Sequence, residues 1–271
     1  VASDARRGLV FHRIATLLSM PQLPTLPYGG FAPAPHRFAD WLAVEGGARY
    51  DFARARFDAF IPLSQSRAAR PGTIPGGTIS YGAWTFNGSA TVTPVAGQDF
   101  FATFSQGFQL PDIGLQLRNA NLGFNIRNSD LQPVRIDSYE VGYKGDLMDG
   151  ALYVAVAGFY ADYKDVQIPG SVACDVGGIP SFCGVVSNAG KATFKGVEFE
   201  SNARLGRDLV APGDRLNLQT AVGYIDAQYD EYITNIAGVP TDVADYREVQ
   251  NTPKWTASGT LSYTTPVGDG S

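Results

Sequence analysis

Histidine, cysteine and methionine are scarce: the 271 residues hold two of each. With His12 and His36 alone, no Ser/His/Asp set can be assembled, and no Gly-rich phosphate loop follows a strand-like segment. Neither histidine sits among other metal-binding side chains, so a haem-ligand role for either has little behind it. Uninterrupted apolar runs are also missing. The best one, residues 8–20, is broken by His12 and Arg13 and falls short of the roughly 18 residues a membrane helix needs. Twenty-one basic residues face 26 acidic ones, for a net charge of −5 and no polybasic stretch, which leaves nucleic acid nothing to bind. These absences argue against an enzyme, a helical membrane protein and a nucleic-acid partner. What is abundant is glycine (31), phenylalanine (16) and tyrosine (13), a composition of strands and turns. The expected class is all-β, and any membrane location must then be a barrel.

The segment from Lys254 to Thr264 shows what kind of β protein this is. Trp255, Ala257, Gly259, Leu261 and Tyr263 alternate with Lys254, Thr256, Ser258, Thr260 and Ser262, giving one greasy and one wet face. Aromatics end the apolar face. Eight strand steps of about 3.3 Å, tilted by about 40°, set the two rings about 20 Å apart along a barrel axis, close to the apolar band of an outer-membrane barrel.

Similar alternation recurs from about Phe38 onward. Leu42, Val44, Gly46 and Tyr50 form one face, Trp84 to Val95 alternates, and a turn at Ala96-Gly97 leads into Phe100, Ala102 and Phe104. Tyr139, Val141 and Tyr143 precede a turn at Met148-Asp149-Gly150, after which Tyr153, Ala155, Ala157, Phe159, Ala161 and Tyr163 read as the next apolar face. Val197 to Ala203 and Leu216 to Tyr224 complete a count of about eight strands. Connections near Ala96, Asp149, Pro212 and Gly268 are short, whereas 62–82, 111–133, 170–186 and 234–251 are long. Transmembrane barrels sort their loops this way, with short periplasmic turns on one rim and long extracellular loops on the other. Residues 1–37 do not fit. Five prolines between Met20 and His36 argue for an irregular segment there.

Several short motifs then follow one another in order. Phe101-Ala102-Thr103-Phe104-Ser105-Gln106-Gly107-Phe108 with Pro111, Gly47-Ala48-Arg49-Tyr50-Asp51, Tyr139-Glu140-Val141-Gly142-Tyr143-Lys144, Phe159-Tyr160-Ala161-Asp162-Tyr163, Asn188-Ala189-Gly190-Lys191 through Lys195-Gly196-Val197-Glu198, and Thr252-Pro253-Lys254-Trp255 all resemble recurrent strands of TonB-dependent outer-membrane receptors. The resemblance implies an antiparallel barrel of about 22 strands with a plugged lumen, of which residues 38–271 are a late-middle portion. It also implies import of a ferric siderophore or similar iron chelate, energised by TonB acting through a plug domain that this chain lacks, in the outer-membrane lipid. A passive porin-like or structural barrel is the alternative, and a soluble β-sandwich binding carbohydrate or protein a third reading.

Roles can be placed on this portion. Polar side chains cannot face lipid cheaply, so Glu140, Lys144, Glu198, Glu200, Asn202 and Arg204 are expected to line the lumen, either against a plug or as solvated wall residues. Arg118 and Arg127 in the long 111–133 loop can offer forked hydrogen bonds to an anionic chelate, unless they are ordinary loop charges. Phe108, Gln109, Tyr229 and Tyr232 lie where strands should emerge at the outer rim, as vestibule contacts or as girdle aromatics. Cys174 and Cys183, close together in a Gly- and Pro-containing segment, are expected to form a local disulfide in an oxidising compartment, the alternative being two free thiols. They are too few for a zinc site, and no cofactor is expected. The sequon Asn87-Gly88-Ser89 falls inside a strand and is discounted.

Overall fold

In a computed structural model the chain is described over residues 2–4, 9–11, 22–62, 72–118, 131–175 and 180–266. Two three-residue strands, β1 (Ala2–Asp4) and β2 (Leu9–Phe11), pair with each other apart from the rest. The main body is one antiparallel sheet: β3 (Thr25–Ala39), β4 (Leu42–Phe57), β5 (Gly77–Val95), β6 (Gln98–Gln109), β7 (Val134–Leu147), β8 (Leu152–Asp175), β9 (Pro180–Arg207) and β10 (Arg215–Ile236) lie in sequence order. Beyond β10, the short β11 (Val239–Asp242) pairs with its upper part and β12 (Trp255–Thr264) with its lower part. The six-residue helix α1 (Ile113–Arg118) lies between β6 and β7. The sheet is open, with β3 at one edge and β12 at the other.

The segment 25–37, expected to be irregular, is instead the edge strand β3. Its prolines explain why this is possible. Arg56 donates its N–H to the carbonyl of Pro24, so even-numbered residues of β3 are the ones that exchange hydrogen bonds with β4. Pro27, Pro33 and Pro35 are odd, and their missing N–H groups lie on the outer edge, where no ladder is broken.

One rim carries tight turns and the other carries long connections, as expected from the sequence. At the turn between β7 and β8, closed by the Ala151 N–H donating to the Met148 carbonyl at 3.0 Å, the central residues Asp149 (φ 53°) and Gly150 (φ 73°) both adopt the left-handed conformation that a two-residue hairpin with matching twist requires. Residues 170–186 differ from the expected loop. There β8 and β9 continue as a paired hairpin to Asp175 and Pro180, so these strands of 24 and 28 residues run far past the 9–11 that cross a bilayer.

Residues paired across an antiparallel ladder share a face, so the register sorts the side chains. Phe100, Ala102 and Phe104 stand opposite Tyr143, Val141 and Tyr139, which stand opposite Val156, Gly158 and Tyr160. These continue through Phe199 and Val197 to Val222 and Tyr224, and on to Ala257 and Trp255. This outer face carries apolar spans of about 20 Å by the arithmetic above: Tyr139 to Leu147, Leu152 to Tyr160, Val197 to Leu205, Leu216 to Tyr224 and Trp255 to Tyr263. Asp137, Asp162, Lys195 and Asp226 follow directly above the spans. Ring pairs form the aromatic row below those charges: Phe104 with Tyr139 at 5.1 Å, Tyr139 with Tyr160 at 6.4 Å, and Tyr224 with Trp255 at 4.8 Å. Trp255 is 67% exposed and Leu261 64%, as side chains facing hydrocarbon must be when lipid is stripped away.

β8 corrects the sequence reading. Tyr153, Ala155, Ala157, Phe159 and Ala161 do not face lipid: Phe159 pairs with Glu140, Ala157 with Glu198 and Ala155 with Glu200, on the inner face. Both parities of this strand are apolar, so only the charges of its neighbours reveal the side.

Candidate functional site

The inner face is built from the residues between those of the apolar band. Glu140 sits between Thr103 and Phe159, Lys144 between Asp99 and Ala155, and Glu198, Glu200, Asn202 and Arg204 follow one another along β9. All six are therefore on one face, the one expected to be lumenal. Lys144 rests over the Phe101 ring, 5.6 Å from its centroid. The three glutamates make no ion pair with a described residue, whereas Arg49 and Asp51 on the same face form a two-pronged pair at 2.6 and 2.7 Å.

Two motif glycines are explained by rings on this face. A side chain at Gly142 would meet the Phe101 ring and the Val156 carbonyl at 2.6 Å, and one at Gly196 would collide with the Tyr224 carbonyl and the Phe159 ring. Each glycine lies flat under an aromatic from the neighbouring strand, which covers its exposed backbone.

At the long-connection rim the inner face gains a small apolar cluster. Ala55 and Phe57 at the end of β4 pack with Phe60, Ile74, Ile113 and Leu117, and Ile79 and Tyr81 of β5 lean against them. Ile113 and Leu117 are four apart, so α1 presents one apolar stripe to this cluster. The 58–62 and 72–76 segments, bridged at Phe60 and Ile74, thus fold inward over the wall.

At the top of β10 a bulge between Tyr229 and Glu231 inserts Asp230. Asp230 accepts a hydrogen bond from Thr193 Oγ1 at 2.6 Å and another from Gln228 at 3.2 Å. Because of the extra residue, Tyr229 and Tyr232 come onto the same, inner face, opposite Ala192 and Gly190, and their rings meet edge to face at 5.0 Å. Asp242 fixes the neighbouring turn by accepting the N–H groups of Tyr232 and Ala244, both at 3.0 Å, which hold its carboxyl below the usual range. The chain then passes through the 3-10 turn Ala244–Tyr246 and returns along β10, where Glu248 pairs with Gln228. Arg247 is one step from Glu248 in extended backbone, which turns it to the inner face, and its guanidinium lies 5.4 Å from the centre of the Tyr232 ring.

The other residues singled out in the sequence are dispersed. Gln109 is on the inner face opposite the buried Val134, but Phe108 pairs with Arg135 on the outer face, above Gln106 and Asp137. Phe108 thus lies four strand steps beyond Phe104 of the aromatic row, on the outer face. Arg118 ends α1, and Arg127 lies outside the described residues, as does His12. His36 stands on the outer face of β3 opposite Val44, edge-on to Phe38 at 4.4 Å, with no other metal-binding group grouped around it among the described residues. Cys174 is opposite Ser181 and Cys183 opposite Val172, diagonal positions in the projecting β8–β9 hairpin. Arg247 was missed. It lies in a polar stretch without alternation, and only the tertiary path of residues 243–254 brings it to the tyrosines.

At the short-turn rim, Asp214 accepts the N–H groups of Leu209, Val210 and Ala211 at 2.7 to 2.9 Å and the Tyr263 hydroxyl at 2.6 Å. The Tyr263 hydroxyl first and those N–H groups second hold its carboxyl far below the usual carboxylate range.

The model of the TonB dependent receptor-like β-barrel family matches residues 20–270. The rhizobactin receptor of Rhizobium meliloti (strain 1021) is 32% identical over 178 residues, covering 59% of this chain and 24% of that protein. The ferric aerobactin receptor of Klebsiella pneumoniae is 26% identical, with the same shares covered. The chain thus spans about a quarter of the length of these curated relatives. Among solved structures, the siderophore receptor PiuA from Acinetobacter baumannii superposes with a TM-score of 0.61 at 17% identity, over 89% of this chain and 31% of that one. The copper transporter OprC gives 0.65 at 14%, over 90% and 34%, a likeness of fold alone. The strand order, the apolar outer band, the sorted rims and the match over nearly the whole length agree: the chain belongs to the TonB-dependent receptor family, as part of its outer-membrane β-barrel.

Proposed function

We propose that this chain is the substrate-admitting wall of an importer for a ferric siderophore or similar iron chelate, driven through TonB. What supports the reading is the similarity to the rhizobactin and aerobactin receptors across β-strands whose inner face is polar and whose outer face is apolar. Glu140, Glu198 and Glu200, with Lys144, Asn202 and Arg204, then serve as the wall against which a plug domain rests, and the glutamates' lack of ion pairs leaves them free to take its basic groups. Tyr229 and Tyr232 are the substrate contacts at the rim, with Gln109, Arg118 and Arg127 contributing from the connection beyond β6. Cys174 and Cys183 close the tip of the β8–β9 hairpin once oxidised.

The test is uptake of radiolabelled iron chelates by iron-starved cells with and without the gene that encodes this chain, in TonB-positive and TonB-deficient backgrounds. Uptake that needs both the gene and TonB is expected. Uptake that needs the gene but persists without TonB would instead establish the passive porin-like barrel.

A further inference from the structure

We propose that the cleft where β5 and β6 part, at the upper edge of the outer apolar band, binds a lipid of the outer leaflet through a terminal phosphate on its headgroup. This goes beyond the transport reading and is independent of it, because it concerns the lipid-facing side of the wall alone.

The cleft begins where a ladder stops. β5 and β6 are paired from Val95 and Gln98 to Asn87 and Ser105 and no further, although β5 stays paired with β4 back to Gly77 and β6 with β7 on to Gln109. A side chain takes over at the first lost pair: Phe86 donates its N–H to Gln106 Oε1 at 3.3 Å, and Gln106 Nε2 donates in turn to Asp137 at 2.8 Å. Even-numbered residues of β5 therefore turn their backbone groups toward β6. The N–H groups of Trp84 and Gly82 face the same opening with no partner among the described residues. Donors left open at a lipid boundary favour a ligand that accepts.

The lining is amphipathic, as a lipid is. A cavity of about 540 Å³ occupies the cleft, with Trp84, Phe86 and Phe108 as its aromatic wall and Arg135 and Lys164 as its cations. Gln106 pairs with Asp137 and Phe108 with Arg135, one and two ladder positions above the Phe104–Tyr139 pair of the aromatic row, so the cleft sits where hydrocarbon gives way to headgroups. Trp84 stacks on Phe86 with centroids 6.4 Å apart and planes 10° from parallel, and stays 62% exposed, a flat apolar surface for an acyl chain. Asp137 is the one acid in the lining, and both of its oxygens are taken, by Gln106 and by Lys164 at 2.8 Å each. Lys164 also meets Asp162 at 3.2 Å and is neutralised by the two carboxylates. Arg135 is exposed and forms no salt bridge among the described residues, which leaves its N–H fork for phosphate oxygens. A Lys at this position would keep the charge and lose the fork.

The experiment uses the protein purified from outer membranes into detergent micelles and reads quenching of Trp84 by lipids with brominated chains, the difference between wild type and Trp84→Phe giving the share of that residue. Brominated phosphatidic acid, which carries a terminal phosphate, should reach half-quenching at a mole fraction at least about fivefold below that of phosphatidylcholine with the same chains. Arg135→Ala should bring the two lipids within about twofold of each other, and Arg135→Lys should keep part of the preference. Lys195→Ala, on the same face but paired with Asp226 at 3.5 Å, should leave the preference unchanged. Trp84 untouched by either lipid, equal quenching by both in wild type, an unchanged preference in Arg135→Ala, or the same loss in Lys195→Ala overturns the proposal.

Discussion

Ser201 and Thr220 stand opposite each other in the middle of the outer apolar band, and their hydroxyls share a hydrogen bond of 2.7 Å. Hydrocarbon offers neither any other partner, so each is tolerable only because of the other. Removing one should cost more than removing both. Thr220→Val leaves the Ser201 hydroxyl stranded at about 1–2 kcal/mol, while Ser201→Ala with Thr220→Val should come back toward wild type, leaving a coupling of about 0.6–1.7 kcal/mol. Urea unfolding from detergent micelles measures the cycle, and additive losses would show the pair uncoupled. Residue by residue, the glycines of the motifs were readable as strand positions. Their reason was not, because Phe101 over Gly142 and Phe159 over Gly196 come from neighbouring strands whose stagger no local pattern reveals.

β8 and β3 show what alternation can and cannot carry at the scale of the element. For β7, β9, β10 and β12 one parity is charged or hydroxylated, and the sequence assigns the faces as the register does. β8 holds Tyr153 to Ala161 on one parity and Leu152 to Tyr160 on the other, all apolar or small, so its side is decided by pairing with Glu140, Glu198 and Glu200. In β3 the prolines argue against a central strand, and the parity that spares the β4 ladder at an edge belongs to the sheet rather than to the segment. Among the connections, the β9–β10 turn gives a pH prediction. Its Asp214 carboxylate is enclosed and titrates below the ordinary value near 3.8, so its stabilising effect is fully present above that pH and is lost as pH falls through the folded value. Asp214→Asn removes the charge that the Tyr263 hydroxyl and the three N–H groups share. The urea midpoint of wild type should therefore drop on acidification below about pH 4 more steeply than that of the variant. Parallel pH curves for the two proteins would show that Asp214 bears no such load.

For the whole molecule, the apolar outer band and the polar inner wall are the features from which everything functional follows. A soluble sandwich buries one face of each sheet against another, yet here the largest apolar side chains of the sheet lie exposed in one band, and the described buried cluster around Phe57, Ile74 and Leu117 is small. With lipid on the outer face, the proposed importer has only the inner face for substrate and plug, the face that carries Tyr229, Tyr232 and Arg247. Much of this was legible early, since band, girdle and loop asymmetry are properties of the linear pattern. The rim site was not, because it depends on one bulge at Asp230 and on the return path of residues 243–254.

The most direct measurement is spin-label accessibility along β8 in lipid vesicles, with Cys174 and Cys183 first replaced by serine and single cysteines placed at Val154, Ala155, Val156 and Ala157. Labels at 154 and 156 should relax with oxygen, which partitions into lipid, and labels at 155 and 157 with a water-soluble nickel chelate. The reverse assignment, or a strand with no alternation at all, would contradict the account.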